Sequence, residues 1–154
     1  MSKDKREGYG KILDCWSPPK DAGTPVGCLS TTYTFDPELY EEDCLSRFLQ
    51  MKSDFNEDSV TYLIEREERL SNISCAAVLV DKEHSNKRRN PRWDLISMRY
   101  RGTFHPKVTV IYWSGCIRLM VGSANLTKAG YRENQEIFCV VDFAMEQGKF
   151  NDKK

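Results

Sequence analysis

His105, Lys107, Ser123 and Asn125 are the residues whose types and spacing carry chemistry. They sit in two short runs, Phe104-His105-Pro106-Lys107 and Gly122-Ser123-Ala124-Asn125, separated by two β-prone segments and a Ser114-Gly115 turn. An imidazole titrates near neutral pH and serves as a nucleophile or as an acid and base. An ammonium neutralises phosphoryl oxygens. A hydroxyl and a primary amide donate hydrogen bonds to negative charge that builds in a transition state. Together the four side chains form a set suited to handling a phosphate group.

Their spacing gathers them. In a strand, residues i and i+2 point to the same face, so His105 projects with Lys107 and Ser123 with Asn125. A strand over 107–113, a two-residue turn and an antiparallel return over 117–121 carry the second run back to where the first began. A helix start just after Asn125 would add free N–H groups that favour an anion. Taken alone, His105 reads as an ordinary sheet histidine; Lys107 and the Gly122–Asn125 run reverse that reading. Asn125 also reads as a helix cap.

The elements that must position this set follow from pattern. Segment 16–27 is dense in Pro and Gly and reads as loop, and 31–35 as a short strand. Asp36-Pro37-Glu38 is a helix start, after which Tyr40, Cys44, Leu45, Phe48 and Leu49 share one face. A second helix is expected over 57–70, with Val60, Leu63, Ile64 and Leu70 as its apolar stripe. The apolar run 75–80 suits a strand buried on both faces. A charged loop spans 82–92, and strands are expected over 107–113, 117–121 and 137–143. This order predicts one sheet with helices packed on it, in an α/β or α+β arrangement.

Composition bounds the rest. The 154 residues fit one domain over 11–145, with polar termini at 1–10 and 146–154. Hydrophobic residues make up 40% and charged residues 30%, which describes a globular chain rather than a disordered one. Lys plus Arg and Asp plus Glu both total 23, which excludes a histone-like polycation but leaves room for a local basic patch. No apolar run approaches the ~20 residues of a membrane span, and no apolar signal core follows the charged N-terminus. These features predict a cytoplasmic protein with no membrane partner.

The six cysteines include no CxxC pair. An even count permits disulfides; without a secretion signal they read as free thiols, with Cys116 and Cys139 in the core. The two histidines, His84 and His105, sit beside no cysteine cluster, so no metal site is expected. Lys87, Arg88, Arg89 and Arg92 make the loop basic. It is either a solvated face or a nucleic-acid grip, with Trp93 placed to stack on a base. Arg99 and Arg101 lead from it towards His105. The pair Tyr112-Trp113 reads as packing at a strand end.

The pattern resembles the phospholipase D superfamily, which is marked by HxK, a spacer, GSxN and a downstream Asn and Glu. Here these are His105-Pro106-Lys107, Gly122-Ser123-Ala124-Asn125 and Asn134-Gln135-Glu136, and the resemblance covers roughly residues 101–143. It implies a half-domain with a mixed sheet flanked by helices. It also implies cleavage of a phosphodiester without metal or cofactor, through a phosphohistidine. By position, His105 would be nucleophile or acid, Lys107 and Asn125 would bind phosphate, and Ser123 and Asn134 would support it. Glu136 would orient the imidazole by accepting its second N–H.

One departure stands out. Many members have Asp five residues after the Lys, where this chain has Tyr112. Branches without it resemble tyrosyl-DNA phosphodiesterase-like enzymes and restriction-type nucleases, which tilts the expected partner from lipid to nucleic acid, DNA before RNA. A full site of this kind uses two HxK motifs. This chain has one, and His84-Ser85-Asn86-Lys87 puts its lysine three residues on rather than two. The second is therefore expected from a homodimer mate or a covalent second half-domain. The alternatives are a non-catalytic phosphate- or nucleic-acid-binding module, a phospholipid phosphodiesterase, and a structural half that supports a catalytic one.

Overall fold

A computed structural model describes residues 11–85 and 90–145. The chain builds one six-stranded mixed sheet in the order β3-β2-β1-β4-β5-β6. The strands are β1 (Pro25–Thr32), β2 (Cys75–Asp81), β3 (Asp94–Met98), β4 (Val108–Trp113), β5 (Cys116–Gly122) and β6 (Phe138–Ala144). β1, β2 and β3 run parallel, and β4, β5 and β6 extend the sheet antiparallel from β1. The three C-terminal strands match the expected runs, and the Ser114-Gly115 turn closes the hairpin with Trp113 opposite Cys116.

Between β1 and β2 the chain forms the helical layer. Asp36 Oδ1 accepts from the N–H groups of Glu38 and Leu39 at 3.0 and 3.3 Å, which fixes the predicted helix start. The helix runs as a π-helical segment over Leu39–Cys44 and then as α1 (Leu45–Phe48). Its residues Tyr40, Cys44, Leu45, Phe48 and Leu49 are all buried, as their spacing predicts. Asp58 caps α2 (Ser59–Ser71), accepting from Val60 and Thr61 N–H, both at 3.1 Å.

The register sorts the strands into two faces. Cys28, Ala76, Val78, Ile111, Trp113 and Met120 lie on the face that meets Trp16, Tyr40, Phe48 and Leu49, and these form the core. The opposite face is apolar too, yet no helix of the described residues covers it: Leu29, Ile96, Val121, Val141 and Phe143 are 41–52% exposed. The helices therefore flank one face, not both. β2 is nonetheless buried on both faces along most of its length, as its apolar run predicted: Ala76, Ala77, Val78 and Val80 are buried and Leu79 half-buried, and Cys75 at its start is exposed. Cys139 lies on the open face of β6 and is exposed, which corrects its expected place in the core; Cys116 is buried. All six cysteines are free thiols.

Three further expectations fail for identifiable reasons. β1 begins at Pro25, inside the segment read as loop. Pro is tolerated at a strand start, and a Cβ on Gly27 would stand 3.0 Å from the Cys75 carbonyl oxygen of the neighbouring strand. β3 follows the charged loop without an apolar signature, because it is an edge strand of mixed polarity. α2 turns Tyr62, Arg66 and Leu70 inward and leaves Val60, Leu63 and Ile64 exposed. Buried Glu41 draws Arg66 in at 3.4 Å, and Arg69 donates to the Leu49 carbonyl at 2.8 Å. A buried carboxylate without a cation costs more than exposing three aliphatic side chains, so charge sets the helix rotation.

Candidate phosphate site at the sheet end

The β4–β5 hairpin places His105, Lys107, Ser123 and Asn125 at one end of the sheet, where the Lys107 carbonyl accepts from the Gly122 N–H at 3.1 Å. His105 and Ser123 are exposed, and Lys107 and Asn125 are half-buried. Lys107 Nζ lies 2.8 and 3.1 Å from the two ring nitrogens of His105 and donates to the His105 carbonyl at 3.0 Å. An ammonium donates only to the ring nitrogen that carries a lone pair, so the tautomer decides which of the two contacts is the hydrogen bond. Partial burial pushes the Lys107 pKa below its ordinary value, and the charge of Glu136 opposes that shift.

Asn125 is held by its oxygen. Oδ1 accepts from Tyr33 N–H at 3.2 Å and Thr34 N–H at 3.4 Å; Thr32 Oγ1 lies 3.4 Å away and gives its proton to the Thr34 carbonyl at 2.7 Å. Both donors are backbone N–H groups, which settles the orientation of the amide and leaves Nδ2 as its donor end. Asn125 is not the expected helix cap. The next helical turn is a π-helical one over Ala129–Glu133, and Thr127 Oγ1 accepts from Gly130 N–H there at 3.1 Å. That turn packs closely on Asn125: a Cβ on Gly130 would lie 2.3 Å from the Asn125 carbonyl oxygen.

Glu136 does not take the place expected of it. Its carboxylate accepts from Ser123 Oγ and, at 3.3 Å, from Asn134 Nδ2, and among the described residues it forms no hydrogen bond with His105. The carboxylate lies beside Ser123 because Gly122 pairs with Phe138, which brings the start of β6 against the end of β5. Ser123 Oγ also accepts from Ile137 N–H at 3.0 Å. A hydroxyl has one proton, and that of Ser123 is committed to Glu136, so Ser123 ties the end of β5 to the start of β6.

The basic loop divides. Lys87, Arg88 and Arg89 lie outside the described residues. Arg92 pairs with Glu67 at 2.8 Å across an exposed contact. Trp93 is not free to stack on a base. It is 3% exposed, packs on Phe35 and Tyr40, and donates from Nε1 to Glu41 at 3.1 Å. Indole burial and the Glu41 acceptor satisfy both its apolar body and its N–H. Arg99 and Arg101 are exposed on the segment that leads to His105.

Sequence reasoning missed Tyr33, His84 and Asp81. The Tyr33 ring contacts His105 at 4.9 Å between centroids and His84 at 4.3 Å. Asp81 ends β2 and accepts from Glu83 N–H at 2.9 Å and Phe104 N–H at 2.8 Å, bonds that hold its carboxyl below the usual range. No spacing rule links these residues to His105; only the sheet order, with β1 between β2 and β4, brings the ends of β1 and β2 to the end of the sheet where His105 lies.

Among the described residues no group of three or more His, Cys, Asp or Glu side chains converges on a metal position, and no helix is long and apolar enough to cross a membrane. No protein-family model and no curated protein matches the sequence. Among solved structures, the fold is similar to part of a yeast tyrosyl-DNA phosphodiesterase mutant, with a TM-score of 0.43 and 10% identity. The match covers 76% of this chain and 25% of the yeast one, so the chain spans about a quarter of that protein's length.

Proposed function

We propose that this chain carries half of a metal-independent phosphodiesterase site of phospholipase D type that acts on nucleic acid, DNA before RNA. One observation supports it most. His105 and Lys107 touch at the sheet end where Asn125 also lies, and the Asn125 oxygen is committed to backbone donors.

In this reading the neutral His105 ring attacks phosphorus. An N–P bond forms, the bond from phosphorus to the leaving oxygen breaks, and a second imidazole gives that oxygen its proton. Water then attacks phosphorus and gives a proton to the second imidazole, the N–P bond breaks, and both imidazoles return to their starting states. Lys107 swings from the ring to the phosphoryl oxygens, and Asn125 Nδ2 donates to the charge that develops there. Glu136 acts on the site through Ser123 and Asn134. The second imidazole comes from a homodimer mate or a covalent second half-domain, because this chain has one HxK run.

The test is nuclease activity in excess EDTA with His105→Ala as control, on material whose mass is known from light scattering. EDTA-resistant cleavage by a dimer or by a longer chain holding both halves, lost in His105→Ala, is the expected result. Cleavage abolished by EDTA, or unchanged in His105→Ala, refutes it. A phosphate-binding module without turnover is the second reading, favoured by the single HxK run. It predicts inorganic phosphate binding at His105 and Lys107 with no cleavage even when two runs are joined.

A further inference from the structure

The bond expected to orient His105 is absent among the described residues, since Glu136 is engaged by Ser123 and Asn134. Lys107 contacts the ring nitrogens, but its ammonium rides on a flexible four-carbon stem and is the group that must leave for the phosphate. What else touches the ring is Tyr33, at 4.9 Å between centroids with the planes tilted by 44°.

Tyr33 is itself held by two partners, and a third residue braces the segments around it. Its N–H donates to Asn125, which ties its backbone to the phosphate-facing amide. His84 stands edge-on against its ring at 4.3 Å and 67°. Asp81 braces both histidine-bearing segments. One carboxylate oxygen holds the turn before His84 through Glu83 N–H, and the other holds the residue before His105 through Phe104 N–H. The His84 N–H also donates to the Asp81 carbonyl at 3.0 Å. The rings of His84, Tyr33 and His105 therefore form a column seated on the end of β2.

We propose that Tyr33 is the positioning residue of His105, with His84 as its backstop, so that the imidazole is oriented by aromatic contact in place of a carboxylate bond. The importance of that orientation rests on the phosphodiesterase reading; the contact itself does not. An aromatic pair of this kind is worth about a two- to tenfold difference in the population of the held ring.

The test is side-chain NMR of the two histidines in the full chain, with inorganic phosphate as the anion probe. Tyr33→Phe keeps the ring and is expected to leave the His105 Hδ2 and Hε1 signals and the phosphate affinity near wild type. Tyr33→Leu is expected to move those signals out of the ring current and to weaken phosphate binding about two- to tenfold. His84→Ala should shift His105 in the same direction by less, although His84 does not touch it, and it serves if Tyr33→Leu fails to fold. His105 signals that stay in place in Tyr33→Leu, or in a folded His84→Ala where Tyr33→Leu is unfolded, overturn the proposal. Wild-type His105 signals that ignore phosphate count instead against the phosphodiesterase reading, and the ring-current comparison still decides the column.

Discussion

Replacing Asn125 by Asp and by Ala separates what its oxygen does from what its nitrogen does. Oδ1 accepts two backbone hydrogen bonds, at the long end at 3.2 and 3.4 Å. Each is worth about 1 kcal/mol net, so Asn125→Ala should cost about 2 kcal/mol and leave two backbone N–H groups without a protein acceptor. For a chain of this size that lowers Tm by about 4–8 °C. Asn125→Asp keeps an acceptor at the same place and should stay within about 1 kcal/mol of wild type. It removes the Nδ2 donor and sets a negative charge where the anion is expected. Phosphate affinity should therefore fall at least about tenfold in the Asp variant despite its near-normal melt. Thermal denaturation and phosphate titration by NMR read the two effects. An Asp variant that melts as low as the Ala variant, or binds phosphate as wild type does, refutes the division of labour.

Further outcomes follow from the same geometry. Gly130→Ala would set a Cβ 2.3 Å from the Asn125 carbonyl oxygen and 3.0 Å from its nitrogen, both rigid backbone atoms. It should cost about 2–3 kcal/mol and displace Asn125, visible as a lower melt together with weaker phosphate binding. On the sheet, Val78→Lys enters the covered face and should unfold the chain, whereas Val141→Lys on the open face should change Tm little; equal effects in circular-dichroism melts would show that both faces are packed. Burial disfavours the charge on Glu65, but hydrogen bonds from Ser53, Lys52 N–H and Arg69 overcome it and hold its carboxyl down to about 2. A folded-state value below the ordinary 4.5 stabilises the protein above that pH, and the gain is lost as pH falls from 4.5 towards 2. Glu65→Gln should accordingly flatten the acid limb of a stability-against-pH curve in that window.

The site's first four residues were legible because their spacing is local. A period of two along a strand and a two-residue turn suffice to put His105, Lys107, Ser123 and Asn125 at one end of a hairpin, and the structure builds that hairpin. The Asp36 cap of the first helix and the buried face around Tyr40 and Phe48 were legible for the same reason: each depends on neighbours within a few residues. What the sequence could not supply depends on contacts between distant segments. Glu136 turns to Ser123 because β6 pairs with β5 at Gly122 and Phe138. Arg66 displaces the aliphatic stripe of α2 because Glu41, 25 residues away, is buried. Trp93 enters the core because the same carboxylate accepts its N–H. Tyr33 reaches His105, and His84 reaches Tyr33, because the sheet order sets β1 between β2 and β4. The sequence alone determined which chemical groups meet at the hairpin end, since that follows from covalent geometry and strand period. Which groups hold them was decided only in the folded chain, where sheet order and the cost of burying unpaired charge choose among partners far apart in sequence.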